Sequence, residues 1–234
     1  MTGRRACRLL TVFLILSGLP VRVAADEPAA GSARSRAREA LVRLAGEKGV
    51  TGLSVTWPEA RPVPRRVSGM DWTASGSARD VATRFAEEFA DLLGVEPVDL
   101  EWDRNEVSRG RTAVHFRQTW KGIPVSGAKV VIQVSESGRV LSSSSGARPV
   151  VVPPPEADVG EEAARNAAVK SLGSAAELGK ALPLITGRLV LPSPDRTQIV
   201  YRVLLPTVPG MAKLVVLVDA ATGEIVQTFN DVRR

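Results

Sequence analysis

The chain has 234 residues, 44% of them hydrophobic and 24% charged, with a formal net charge of +6, one histidine and one cysteine. One imidazole and one thiol exclude the two-histidine and four-cysteine kinds of zinc site, and a single thiol excludes an internal disulfide. Stability must come from hydrophobic burial, for which the length suffices as one large domain or two small ones.

The chain opens with "MTGRRACRLL", which sets Arg4, Arg5 and Arg8 ahead of an apolar run from Leu9 to Leu19. Pro20 breaks that run, and Val23 and Ala25 are small residues ahead of Asp26. This predicts a secretory signal over residues 1–25, cut near Ala25; the run is too short to span a bilayer. The mature chain is then secreted or periplasmic, with no membrane anchor after cleavage. The sole cysteine, Cys7, leaves with the signal. So do Arg4, Arg5, Arg8 and Arg22 but no acidic residue, so 27 basic residues face 25 acidic ones and the net charge falls to about +2. "RSRAR" (34–38) and "RPVPRR" (61–66) are basic clusters without interleaved aromatics, which predicts solvated faces and no nucleic-acid partner.

Residues 26–49 form a leading helical segment, with Ala37, Leu41 and Leu44 near helical spacing before Gly49. "VTGLSVTW" (50–57) reads as a strand and "PEARPVPRRVSG" as a Pro-broken loop into a further extended piece. Ser77 and Asp80 have the spacing of a capping box, and Val81, Phe85, Phe89 and Leu92 recur at helical steps. A helix is predicted from Ala78 to Leu93, stopped by Gly94. Strands follow. "VDLEWDRNEV" turns through Arg109-Gly110 into "RTAVHFRQTW", whose Thr112, Val114, Phe116, Gln118 and Trp120 should face the helix. "GAKVVIQV" repeats the alternation with Ala128, Val130, Ile132 and Val134 inward, and "SESGRVLSSSSG" closes a hairpin at Ser137-Gly138. Between them stands "GIPVSG". Gly122 and Gly127 open conformations closed to other residues, and Pro124 fixes its own φ and withholds a donor. A wide reversal rather than a two-residue turn is expected there.

"ARPVVVPPPEA" (147–157) is a stiff Pro-rich linker. Beyond it, Asp158 and Glu161 suggest a second capping box and a helix running to Gly173. "LITGRLVLP", "IVYRVLLP", "AKLVVLVDA" and "EIVQTFN" are four strand candidates, and Asp219 to Gly223 is a hairpin turn with Gly223 placed for positive φ. The reading is α+β: two tandem units, 50–146 and 158–234, each a helix packed on an antiparallel sheet.

Chemistry is sparse. His115 falls on the polar face of its strand beside Arg117, and no Gly-x-Ser-x-Gly elbow accompanies it. Glu87-Glu88 and Glu161-Glu162 lie on helices as solvated pairs, and no Gly-rich phosphate loop is present. Trp57, Trp72, Trp102 and Trp120 are spread singly, which suits packing better than a ligand platform. No catalytic, cofactor-binding or metal-binding residue is assigned, no cofactor is expected, and the chain reads as a non-enzyme.

The stretch "VHFRQTWKGIPVSGAKVVIQVSESGRVLSSSSG" (114–146) resembles the fungalysin/thermolysin propeptide (FTP) domain. "GLSVTWPEARPVPRRVSG" and "ARDVATRFAEEFADLLGV" are similar to the leading part of thermolysin-type propeptides. "EEAARNAAVKSLG", "IVYRVLLP" and "KLVVLVDAATGEIVQTFNDVRR" resemble a PepSY domain. The resemblance implies cystatin-like or PepSY-like units and a binding role, because such prosegments assist folding of their protease and hold it inactive against its cleft. No His-Glu-x-x-His occurs in the chain. The implied partner is therefore a thermolysin-like metalloprotease met in trans, inhibited or assisted in folding. Two other readings stand beside it: a free-standing extracytoplasmic interaction module with no protease partner, and the prosegment of a truncated protease gene. No oligomeric state is assigned. The resemblance also places the partner contact in the tail, at Gln227, Asp231, Val232, Arg233 and Arg234, since in a precursor this segment would lead into the protease.

Overall fold

The structure, a computed structural model, describes residues 29–46, 52–148, 150, 157–171, 183–193, 196–205 and 213–231. The predicted signal (1–25), most of the Pro-rich linker and the tail beyond Asp231 lie outside them. So does the predicted helix end at Gly173. Two helices and six strands come first: α1 (Ala29–Ala45), β1 (Ser54–Thr56), β2 (Arg66–Ser68), α2 (Ala78–Glu88), β3 (Leu100–Ser108), β4 (Arg111–Trp120), β5 (Ile123–Ser135) and β6 (Val140–Ser145). A short α3 (Ala90–Leu93) follows α2 directly. Then come α4 (Glu161–Lys170), β7 (Leu184–Leu191), β8 (Gln198–Leu205), β9 (Lys213–Asp219) and β10 (Ile225–Asp231). Helices lie against a mostly antiparallel sheet, and the class is α+β.

The α2 capping box forms as its spacing predicts: Asp80 N–H donates to Ser77 Oγ (3.2 Å) and Ser77 N–H to Asp80 Oδ2 (3.0 Å). Its apolar stripe is buried, with Val81 and Phe85 fully so, against Val114, Phe116, Val130, Ile132, Val134 and Val140 of the sheet. All four inward residues predicted on β5 are buried. Trp72 meets Phe85 edge-on, with ring centroids 5.4 Å apart and planes at 74°, so this tryptophan belongs to the core. The predicted single helix is interrupted. Phe89, at φ −116° and ψ 35°, leaves the helical region and α3 restarts after it. Gly94 then ends α3 at φ 70°, and Ser145 Oγ donates to the Leu93 carbonyl. Helix α1 packs on α3, burying Ala37 and Ala40.

The stretch around "GIPVSG" departs most from expectation. Lys121 (φ 49°) and Gly122 (φ 77°) are both left-handed, and Trp120 stands opposite Ile123. This is a tight two-residue hairpin of the mirror-image kind, whose twist suits the flanking strands. The wide reversal is replaced by something else. From Thr119↔Pro124 to Arg117↔Lys129, β4 advances two residues while β5 advances five. The excess is a bulge in β5, made accessible by Gly127 at φ 70°. Beyond the bulge, β5 pairs with β6 over Val130–Val134; within it, Val125 pairs in parallel with Val190 of β7. One edge of β5 is thus shared end to end by β6 and β7, and the sheet continues as β7-β8-β9-β10. Val125, Ala128 and Val190 bury a small cluster at this junction.

Around α4, Ala164 and Ala168 pack against Tyr201, Val203, Leu205, Val216 and Val218. The second capping box does not form. The helix is entered through Gly160 (φ 85°), without a side-chain cap. Asp158 stands two residues too early, and its carboxylate is taken by the sheet: Tyr201 OH donates at 2.7 Å and Arg188 lies at 3.3 Å.

Candidate interaction surface

Strand β10 is antiparallel to β9, with Phe229 opposite Val215 and Gln227 opposite Leu217. It ends the strand order, so among the described residues no strand pairs with its outer edge. β9 beneath it is rigid core: Val215, Val216 and Val218 are fully buried and Leu217 is nearly so. The β9–β10 turn is held by Asp219, only 2% exposed. One carboxylate oxygen accepts from the N–H groups of Ala221 (2.8 Å) and Thr222 (3.2 Å); the other accepts from Arg196 (3.0 Å) and Gln198. Gly223, at φ 75°, donates its N–H to the Asp219 carbonyl (2.9 Å). Asp219 and Gly223 thus work together as turn residues.

The sequence reading overlooked what β10 exposes. Ile225, Val226 and Phe229 remain 37–38% accessible on a strand whose residues from Ile225 to Asn230 carry no charge. The sheet's other long outer strand, β3, exposes Trp102 and Val107 too, but beside the charges of Arg104 and Glu106, which discourage edge pairing. An uncharged, partly apolar edge is instead suited to accept an extended chain. Its signal in the sequence was the run "IVQTFN". Of the predicted contact residues, Gln227 lies exposed on β10 and Asp231 is its last residue, opposite Lys213. Val232, Arg233 and Arg234 lie outside the described residues. Gly122, Pro124 and Gly127 belong to the hairpin and bulge of β4–β5, a different part of the sheet from the β9–β10 turn.

His115 Nε2 is buried and lies 3.3 Å from Glu106 on the neighbouring strand without a hydrogen bond to it. No group of three metal-ligating side chains forms among the described residues, and no described helix is long and apolar enough to cross a membrane. A cavity of about 600 Å³ between α1, α3 and the end of β4 is lined by Arg36, Asp91, Glu96, Asp99 and Trp120 among others, and by no hydroxyl, thiol or imidazole side chain. Trp57 donates to the Arg61 carbonyl (3.0 Å), and Trp102 lies under Arg79. The tryptophans form no common platform.

Asp158 ties α4 to this sheet. Its carboxyl is held below the usual carboxylate range by the hydrogen bond from Tyr201, helped by Gly160 N–H and Arg188. Burial, and then Asp158 itself, push the Tyr201 phenol up to about 12. A depressed carboxyl contributes stability that is whole above the ordinary carboxyl pKa of about 4 and is lost as pH falls through its folded value. The thermal midpoint should therefore fall more steeply below pH 4 in the parent than in D158N. Equal slopes would show that this network carries no pH-dependent stability.

No curated protein matches the chain. Solved structures similar at low identity include two Bacillus proteins. One is the Bacillus megaterium YpeB C-terminal domain: 13% identity, TM-score 0.37, covering 87% of this chain and 97% of that one. The other is the YpmB protein from Bacillus subtilis: 14% identity, TM-score 0.22, covering 67% of this chain and 99% of that one. Residues 103–145, which run from within β3 to the end of β6, match the family described as Fungalysin/Thermolysin Propeptide Motif.

Proposed function

We propose that this chain is a secreted, non-catalytic, propeptide-like protein that binds a thermolysin-like zinc metalloprotease in trans, inhibiting it or assisting its folding. The observation that carries this reading is the propeptide-motif match over residues 103–145, the strands on which the rest of the sheet is assembled. In this reading the chain is two tandem units, an FTP-like one over 50–146 and a PepSY-like one over 158–234. Separate apolar clusters under α2 and under α4 support that division.

The partner's catalytic chemistry would be its own, since a single histidine cannot supply a His-Glu-x-x-His site. This chain would supply a surface. Among the described residues no strand pairs with the outer edge of β10, and the proposed contact residues Gln227, Asp231, Val232, Arg233 and Arg234 begin on this strand. An extended tail in a protease cleft gains backbone hydrogen bonds in the manner of an added strand, with Val232 as a small apolar anchor. Deleting Asp231–Arg234 should weaken inhibition of the cognate protease by about tenfold or more, or about 1.4 kcal/mol. The thermal midpoint should hardly move, since Asp231 is the last residue of β10 and the buried β9 is left intact. Equal inhibition by intact and shortened proteins would move the contact onto the sheet surfaces.

A further inference from the structure

The bulge in β5 has a second consequence. On the sheet face turned away from α2, a groove of about 560 Å³ is lined by Arg61, Arg65, Lys129, Arg148, Val131 and Ser144 among others, and by no acidic residue. Two of the four cations are held in place. Arg61 donates from Nη1 to the Ser145 carbonyl (2.9 Å) and from Nη2 to the Ala147 carbonyl (3.0 Å). The Arg148 backbone is clamped by the buried Gln118 amide, which accepts from its N–H (2.9 Å) and donates to its carbonyl (3.0 Å). The Arg148 side chain then lies over Gly127, where a β-carbon would stand 3.6 Å from Nη2. Gly127 thus permits the bulge over which the guanidinium lies.

Among the described residues, none of the four cations forms an ion pair with a carboxylate. Arg61 and Arg148 also line the neighbouring cavity, together with Asp91, Glu96 and Asp99, of which Asp91 is held by Arg36 at 2.9 Å. The Arg61 pKa is lowered, first by burial and then by the nearby Arg65 and Arg148 guanidinium groups.

We infer that the groove between the Arg61–Arg65 loop and the outer face of β5–β6 binds an acidic polypeptide segment, whose carboxylates pair with Arg148, Lys129 and Arg65. Arginine forks suit carboxylates in bidentate geometry. Val131 and Ala147 add apolar lining beside the cations, which fits a peptide carrying both acidic and apolar side chains better than a uniformly polar sulfated glycan. The inference goes beyond the protease reading, and either can fail without the other.

The test uses the mature chain and a fluorescein-labelled octapeptide of alternating glutamate and leucine, with a glutamine-leucine octapeptide as the neutral control, followed by anisotropy. The acidic peptide should bind, the neutral one should not, and affinity should fall as NaCl rises from about 50 to 300 mM. The double variant K129Q/R148Q should weaken binding by about tenfold or more, while R104Q/R109Q, which removes the same charge from the β3–β4 hairpin, should change it by less than about threefold. Unchanged thermal midpoints would show that the fold is intact. Should the double variant lose stability, R65Q alone, at an exposed side chain, should still weaken binding measurably. Equal binding of the two peptides, equal weakening by the hairpin control, or displacement of the peptide by a heparin oligosaccharide of higher affinity would each overturn the assignment.

Discussion

Replacing Phe85 with alanine should remove about 3–5 kcal/mol of stability, the ordinary cost of truncating a fully buried phenylalanine. Phe85 is 0% exposed at the centre of the seam between α2 and the sheet, 4.9 Å from the Phe89 ring and 5.4 Å from that of Trp72. The loss combines the transfer free energy of the ring with an unfilled cavity, because neighbours on β4 to β6 are fixed by their own pairing and cannot close in. Against a typical total of about 5–15 kcal/mol, a marginal unit would be largely unfolded. All four tryptophans lie between residues 57 and 120, and the one tyrosine, Tyr201, lies on β8. Urea unfolding followed by tryptophan emission therefore reports on the part of the chain that Phe85 supports. A shift below about 1 kcal/mol would contradict the placement of this seam at the core.

Asp219→Ala should cost about 2–4 kcal/mol, for a different reason. No cavity is at stake; what is lost is an acceptor serving four donors. The Ala221 and Thr222 N–H groups and the Gln198 amide would lose their partner within a tight turn. The Arg196 guanidinium is half exposed, returns to water and adds little. Asp219→Asn keeps one carbonyl oxygen for the turn N–H groups but turns an amide N–H₂ toward Arg196 and Gln198, so its loss should be intermediate. Thermal unfolding followed through Tyr201 and far-ultraviolet circular dichroism measures both. Parent-like stability in Asp219→Ala would mean that the turn is held by backbone alone. Since the turn aims β10, the same variant should also weaken binding at that edge.

Much of this was legible because local rules and tertiary demands agree. Ser77 and Asp80 have the spacing of a capping box and form one; Val114, Phe116, Val130, Ile132 and Val134 alternate inward as a half-buried sheet requires. The four strands after α4 were marked by β-branched runs and by the Asp219–Gly223 turn. Features set by distant partners were not legible. Lysine is an unusual choice for a left-handed position, so the Lys121-Gly122 hairpin was hidden behind the more suggestive Gly-Ile-Pro-Val-Ser-Gly. The β5 bulge is a mismatch of five residues against two, which exists only once β4 is its neighbour. Asp158 carries an N-cap signature, but Tyr201 and Arg188, far along the chain, claim its oxygens first. The basic groove joins residues from 61 to 148, and no window of sequence contains it.

The proposed binding of a thermolysin-like zinc protease has a direct measurement. The direct measurement adds the mature chain, residues 26–234, to such a protease. Hydrolysis of a short peptide substrate is followed, and binding is measured in parallel by titration calorimetry. Saturable slowing is expected, with a dissociation constant of about 1 μM or tighter, equivalent to about −8.2 kcal/mol, together with heat of complex formation. Full protease activity and no binding heat at tens of micromolar of added chain, about −6 to −7 kcal/mol on the same scale, would contradict it.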